Sequence, residues 1–266
     1  MVRIALGVEY CGAGFEGWQS QTHGRTVQDV LETAIGSIAN EKVGVVCAGR
    51  TDTGVHAAVQ VAHFDTRAER PVTAWVRGVN AHLPDGIAVT WARETDERFH
   101  ARFSALSRRY RYVLLNRPVR SALLNGRVGW FHAPLDIAVM QQAARLLVGR
   151  HDFSAFRAAQ CQANSPVRDL RVASVLQHGE WFVFDFEANA FLHHMIRNLV
   201  GALIHVGKGA QPPGWMGELL EQRNRRLSPP TFMPDGLYLA GVEYPDGLGL
   251  PDGGRIAAPL FLPAGM

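Results

Sequence analysis

No apolar run in this 266-residue sequence reaches the roughly 18 residues that a membrane-spanning helix needs. No membrane association is therefore expected. Cysteine is scarce. Cys11, Cys47 and Cys161 are odd in number and far apart, which argues against a disulfide framework and against a zinc site of close spacing, and fits reduced thiols in a cytoplasm. Met1-Val2-Arg3 runs straight into a strand pattern, so no secretory leader is expected and the location expected is cytoplasmic. Lysine is nearly missing: only Lys42 and Lys208 occur, and the other 25 of the 27 basic residues are Arg. A GC-rich genome would produce that bias by itself. A second absence is more telling. Between Arg98 and Arg127 there are eight arginines and no Asp or Glu. An acid-free arginine segment suits a polyanion, because clustered Arg neutralises phosphates. Arg102, Arg108 and Arg109 are the candidate phosphate contacts. No Gly/Ser-rich or charged linker interrupts the chain, which predicts two closely packed units rather than two swinging ones.

The chain is 47% hydrophobic and 19% charged, with a net charge of +3 and a pI near 9.0, values of an ordinary globular protein. Residues 2–10 alternate, with Val2, Ile4, Leu6, Val8 and Tyr10 on one face, which predicts a half-buried strand. Thr26 precedes a helical stripe from Val27 to Ile38, and Asp29 stands three residues after it as in a capping box. Strands are predicted at about 43–48 and 57–65, a second helix around Val72–Val79, and a strand from Ile87. The second half repeats this order. Tyr110–Leu115, 167–177 and 181–187 are predicted strands. Asp136 caps a helix, Phe191–Val206 forms a strongly apolar one, a short helix follows Pro213, and Leu237–Tyr244 is the last strand. The tail beyond is expected to be irregular, apart from an apolar Leu260-Phe261-Leu262 able to dock.

Two β-α-β-β-α-β halves predict an α+β protein of two ferredoxin-like (RRM-like, split-βαβ) units. Residues 1–105 form the first and 106–266 the second, with their sheets joined and a catalytic cleft between them.

The most chemical stretch is Ala48-Gly49-Arg50-Thr51-Asp52-Thr53-Gly54-Val55-His56, a polar loop between two predicted strands. Glycine at 49 and 54 permits unusual backbone angles. Read alone, it is a surface hairpin loop with a solvated charge pair. Other motifs accompany it in order. They are Tyr10 with Gly17-Trp18-Gln19, Thr26-Val27-Gln28, Asn80-Ala81 with Leu83-Pro84, Phe99-His100-Ala101-Arg102-Phe103 and Arg109-Tyr110-Arg111-Tyr112. Asp152-Phe153-Ser154-Ala155-Phe156, the run Asn189–Asn198 and Gly236-Leu237-Tyr238-Leu239 complete the set. The ordered set resembles the pseudouridine synthases that modify the anticodon arm of tRNA. Two positions depart from that family: Cys11 stands where Asp is usual, and Thr53 where Ala is frequent.

The resemblance implies an isomerase that converts uridine to pseudouridine at tRNA positions 38, 39 and 40, acting as a homodimer. Asp52 is then the catalytic carboxylate, Arg197 its cation and Tyr110 the group that stacks on the uracil. Arg50 helps to displace the base, and His56 and Leu237 join the substrate-binding set. Read by its type, His56 could be a general base, but a structural or RNA-contacting role is favoured. Asp52 attacks the sugar or removes a ribose proton. No cofactor and no metal is expected. His193-His194 would diverge by about 100° on a helix, which argues against a metal pair.

Without the resemblance, Tyr110 reads as a core or cross-strand residue, Arg50 as a loop cation and Arg197 as a solvated one. The helix predicted around Arg197 is apolar nearly all round, however, and a charge there wants a partner. A non-catalytic pair of RRM-like RNA-binding units would carry a basic-glycine-aromatic signature, and Arg109-Tyr110-Arg111-Tyr112 lacks the glycine. A glycoside hydrolase needs two carboxylates about 5–9 Å apart. In sequence, the nearest acids to Asp52 are Glu41 and Asp65.

Overall fold

The computed structural model describes residues 1–22 and 24–257. Leu260-Phe261-Leu262 lies outside them. The chain forms two compact units. Met1–Arg108 and the segment from Tyr238 onward make the first, and Arg109–Leu237 the second.

In the first unit, β1 (Val2–Tyr10), β2 (Val46–Cys47), β3 (His56–Thr66) and β4 (Ile87–Thr95) run in the order β4-β1-β3, with β2 beyond β3. All three pairings are antiparallel, with Gly7 opposite Val61 on one side and Trp91 on the other. The alternation of β1 predicts one buried face, yet Ala5 and Gly7 on the other face are buried as well. Trp91 lies across Gly7, where an added Cβ would meet its ring nitrogen at 2.0 Å. Arg3 reaches the carbonyl oxygens of Glu97 and Phe99, so the segment after β4 crosses that second face. Only two residues of the predicted 43–48 strand pair as β2.

Helix α1 (Val27–Ala39) starts as its sequence predicts. The Thr26 hydroxyl accepts from the Asp29 amide at 3.2 Å and donates to the Asp29 carboxylate, a cap that contributes about 1 kcal/mol. It buries Val27, Leu31, Ala34 and Ile35. The predicted Val72–Val79 helix has a π-helical centre, Ala74–Gly78, that buries Trp75 against Phe64 with ring centroids 5.2 Å apart.

The second unit contains β5 (Ser107–Asn116), β6 (Gly129–Phe131), β7 (Gly149–Asp152), β8 (Val167–His178) and β9 (Trp181–Ala188), with the order β5-β9-β8-β7 and β6 beside β5. Ser107 and Arg108, the first two residues of β5, fall in the first unit. Its helices are α2 (Ile137–Arg145), α3 (Met195–Gly207) and α4 (Trp215–Gln222). Asp136 caps α2 by accepting from the Ala138 and Val139 amides. The core is aromatic: Phe153, Phe156, Phe182, Phe184, Phe186 and Tyr112 are fully buried.

Three sequence expectations change. Strand β10 (Leu237–Glu243), assigned with 106–266, pairs in parallel with β3, Tyr238 opposite His56 and Leu239 opposite Ala57. From Tyr238 on, the chain therefore belongs with the first unit. Ladder hydrogen bonds, not sequence distance, decide that membership. The tail also carries order, because β11 (Arg255–Ala257) pairs with β10. Finally, α3 begins at Met195, so His193 and His194 precede the helix. Their rings lie 4.0 Å apart, and His194 takes a left-handed φ of 62°. The helical-divergence argument against a His193-His194 pair therefore does not apply.

No helix among the described residues is long and apolar enough to cross a membrane. Cys11, Cys47 and Cys161 are free thiols. Burial pushes the Cys47 thiol up to about 12, so it stays protonated and inert.

Candidate active site

The Asp52 loop is braced from beneath by its own unit. Gln60, fully buried on β3, holds Gly49 in a peptide-like pair, its amide donating to the Gly49 carbonyl at 2.6 Å and its oxygen accepting from the Gly49 amide at 3.3 Å. The Tyr10 hydroxyl at the end of β1 shares a hydrogen bond of 2.8 Å with Thr51 Oγ1. The Trp18 amide donates to the Thr51 carbonyl, and the Val55 amide closes the turn onto the Asp52 carbonyl at 3.1 Å. Each such bond contributes about 1 kcal/mol, and together they fix the backbone on both sides of Asp52. Asp52 is half-buried, while Arg50 and Thr53 are exposed.

The first loop presses directly against this backbone. A Cβ on Gly12 would stand 2.1 Å from the Val55 carbonyl oxygen, and one on Gly17, whose φ is +82°, 2.9 Å from the Thr51 oxygen. Only glycine permits such an approach. Cys11, the residue that departs from the family's Asp, sits before the short 3-10 turn Gly12–Gly14 and makes no side-chain cap there. The Gly12 amide is instead satisfied by His56 Nδ1 at 3.0 Å. His56 is buried and stacks on Tyr238, with centroids 4.6 Å apart and planes at 21°. Among the described residues it thus ties the first loop to β3 and β10, which is the structural one of the roles weighed for it from the sequence.

Arg108 does not behave as a phosphate contact. It is 9% exposed, and its guanidinium donates to the carbonyl oxygens of Ala48 (3.2 and 2.9 Å), Ala105 and Arg102. Charge alone grouped it with Arg102, but burial and three carbonyl acceptors make it a clamp between the Arg102 turn and the start of the Asp52 loop. Arg108→Met should lower stability by about 3 kcal/mol, since an unsatisfied buried acceptor costs about 1–3 kcal/mol. A urea midpoint equal to wild type would remove the clamp.

In the second unit, Tyr110 on β5 is buried and meets the Phe191 ring edge-on at 5.2 Å. One residue that sequence reasoning missed stands beside the arginines that flank Tyr110. Asp185 on β9, 5% exposed, accepts a bidentate pair from Arg111 at 2.9 Å and lies 3.7 Å from Arg109 Nε. It fixes the two arginines that flank Tyr110, and an acid on the neighbouring strand gives no local signal of that. Arg109 stays exposed beyond it.

Arg197 is half-buried in the first turn of α3, and its Nε donates to the Phe232 carbonyl at 2.8 Å. Asn198 beside it is fully buried. It donates to the Phe156 carbonyl and accepts from Arg225 at 3.0 Å and Thr231 at 2.8 Å. Arg197 and Asn198 therefore fasten the 225–232 segment to α3. The sequence signal was a polar pair in an apolar run. Leu237 is buried, its amide bonded to the Pro234 carbonyl.

The chain also matches known proteins over most of its length. The sequence profile of the family described as tRNA pseudouridine synthase matches residues 7–104 and 143–245. A tRNA pseudouridine synthase A from Dechloromonas aromatica (strain RCB) is 63% identical over 251 residues, covering 94% of this chain and 96% of that protein. The one from Chromobacterium violaceum is 61% identical with the same coverage of both chains. That from Methylobacillus flagellatus is 60% identical over 250 residues, 94% of this chain and 96% of its own length. With an aspartate loop braced in this way and a profile match on both sides of it, the chain belongs to the tRNA pseudouridine synthase family.

Proposed function

We propose that this chain is an enzyme that isomerises uridine to pseudouridine in tRNA, at positions 38, 39 and 40 of the anticodon arm. The observation that carries this reading is family membership through a profile that includes the whole Asp52 loop. The reaction breaks the bond between uracil N1 and ribose C1′, turns the base, and joins C5 to C1′. The C5 proton leaves to solvent and the N1 position gains one. Atoms and electrons balance within the nucleoside, so the chemistry calls for no redox cofactor and no energy source. A base inside a stem must be extruded and held by stacking.

Asp52 supplies the carboxylate, as nucleophile or as base. Its braced backbone supports this, because a reacting group displaced by about 1 Å can cost a hundredfold in rate. Arg197 orients the carboxylate, Tyr110 stacks on the extruded uracil, and Arg50, exposed on the same loop as Asp52, helps to displace the base. Leu237 lines the substrate position. His56 acts through the loop that it supports. Arg102 and Arg109 take phosphates.

The fold is proposed as two ferredoxin-like halves that meet near Ala105, with the last strand, from Tyr238, counted with the first half. The order β4-β1-β3-β2 with antiparallel neighbours supports this for the first half, and β5-β9-β8 supplies three strands of the second. The working form is proposed as a cytoplasmic homodimer. Light scattering at micromolar protein should give twice the chain mass of 29.2 kDa.

The test is tritium release from tRNA labelled at uracil C5, with modified positions mapped on the product. Release from positions 38–40 is expected. No release would refute the activity, and release from elsewhere would refute the positions. Tyr110→Ala should lower turnover far more than tRNA affinity, and Tyr110→Phe should keep most of it. A folded Tyr110→Ala protein with normal turnover would exclude Tyr110 from the site.

A further inference from the structure

Phe103 is 76% exposed. A single exposed aromatic residue needs no explanation, since such residues are common on protein surfaces. What needs one is that the turn around it is fully built. His100 Nδ1 accepts from the amides of both Arg102 and Phe103, at 3.2 and 3.1 Å. Ser104 closes the turn in both directions, its hydroxyl accepting from the His100 amide and its own amide donating to the His100 carbonyl.

Underneath, the Ala101 amide donates to His63 Nδ1 at 3.2 Å, and the Ala101 carbonyl accepts from the buried Tyr244 hydroxyl at 2.7 Å. The Arg102 carbonyl is held by Arg108, which also holds the Ala48 carbonyl at the start of the Asp52 loop. The turn is thus anchored to β3, to the residue after β10 and to the Asp52 loop.

The ring itself is presented, not buried. It stacks on His100 with centroids 4.4 Å apart and planes at 29°, and the Arg102 guanidinium carbon lies 5.5 Å from its centroid. Burial and the Arg3 charge lower the His100 ring from its ordinary value, consistent with the neutral tautomer that its two accepted amide bonds require. Arg102 is exposed, and so is Arg98, whose guanidinium is paired with Asp96 at 2.6 Å. This is also where the acid-free arginine segment begins. An immobilised aromatic ring with a cation over it, at the start of a segment that is free of acids as far as Arg127, has the composition of a base-stacking platform. A π-face attracts any base, and the cation meets its phosphate.

We propose that Phe103, seated on His100 and flanked by Arg102, is a docking platform for an unpaired nucleobase of the RNA substrate other than the uridine that reacts. This rests on the tRNA reading above and adds a second recognition point to it. The Arg108 clamp links the platform to the Asp52 loop, so a base docked there helps to set the position of the tRNA relative to the carboxylate. The side chain binds and takes no part in the chemistry.

The experiment measures tRNA affinity across a potassium chloride series, turnover by tritium release, and the mass of the free protein by light scattering. Phe103→Ala should weaken tRNA binding roughly five- to a hundredfold, the range for one base on an aromatic side chain. The slope against salt should stay unchanged, because no charge is lost. Phe103→Trp should bind at least as well as wild type, whereas Phe103→Leu, apolar without a π-face, should lose as Ala does. Arg102→Gln should instead flatten the salt slope by about one unit.

Wild-type affinity in Phe103→Ala, or wild-type binding by Phe103→Leu, would overturn the platform. So would a changed mass of free Phe103→Ala, which would make the ring a contact between copies. The functional reading fails separately. Wild-type protein that binds tRNA but releases no tritium would refute the isomerase, while the Phe103 affinities would still decide the platform.

Discussion

Asp52→Asn should abolish pseudouridine formation, by at least about ten-thousandfold, the upper range for loss of a positioned acid–base group, and by more if the carboxylate forms a covalent bond. The amide keeps the shape of the side chain but is neither a nucleophile nor a base at neutral pH. Folding should be retained. The bonds that brace the loop run from Gln60 to Gly49, from Tyr10 to Thr51, from the Trp18 amide to the Thr51 carbonyl and from the Val55 amide to the Asp52 carbonyl, and none of them uses the Asp52 side chain. tRNA affinity should therefore stay close to wild type. The measurement is single-turnover tritium release with circular dichroism and binding as controls, and with mass spectrometry to exclude deamidation back to Asp. Substantial activity in verified Asn protein would end the proposed mechanism.

Arg197→Lys is expected to lose about a hundredfold in rate while keeping a positive charge. Arg presents a planar fork that pairs with a carboxylate through two parallel bonds, and Lys presents a single point charge. In this chain the fork is aimed by its stem, because Nε is bonded to the Phe232 carbonyl and the neighbouring Asn198 holds Thr231 and Arg225. Lysine has one nitrogen. It can serve the Phe232 carbonyl or the carboxylate that Arg197 is proposed to orient, and a misplacement of about 1 Å accounts for the hundredfold. Stability should fall little, since the Asn198 bonds persist. A double-mutant cycle on single-turnover rates, combining Arg197→Lys with Asp52→Glu so that residual activity is measurable, tests whether the two act together. Purely additive losses would show that they do not.

Much of the fold was legible because local chemistry wrote it. Period-two apolar spacing marked β1 and β3, and the His178-Gly179-Glu180 turn marked β8 and β9 on either side of it. Period-3.6 spacing marked α1 and α2, and the caps at Thr26 and Asp136 set where those helices begin. The motif series marked the Asp52 loop, and the profile match confirms the family that it indicated. The short strands β6 and β7 were invisible, because three and four residues are too few for a period to show. Helix α3 was drawn four residues too early, since apolar composition from Phe191 on does not register that His194 has left helical backbone space.

The sequence by itself determined most element positions, because these depend on residue identity and spacing within about a dozen positions, and its ordered motifs from Tyr10 to Leu239 carried the family resemblance that implies the reaction class and the candidate carboxylate. Tertiary structure alone decided what the side chains do. Arg108 reaches Ala48, 60 positions away, and becomes a clamp. His56 meets Tyr238 and becomes a support. Asp185 finds Arg111, 74 positions away, and β10 joins β3. An arginine on the surface and one beneath it are the same letter in the sequence. Whether the guanidinium serves a phosphate or three carbonyl oxygens is set by which groups the fold desolvates around it, because a buried acceptor must find a donor within the protein.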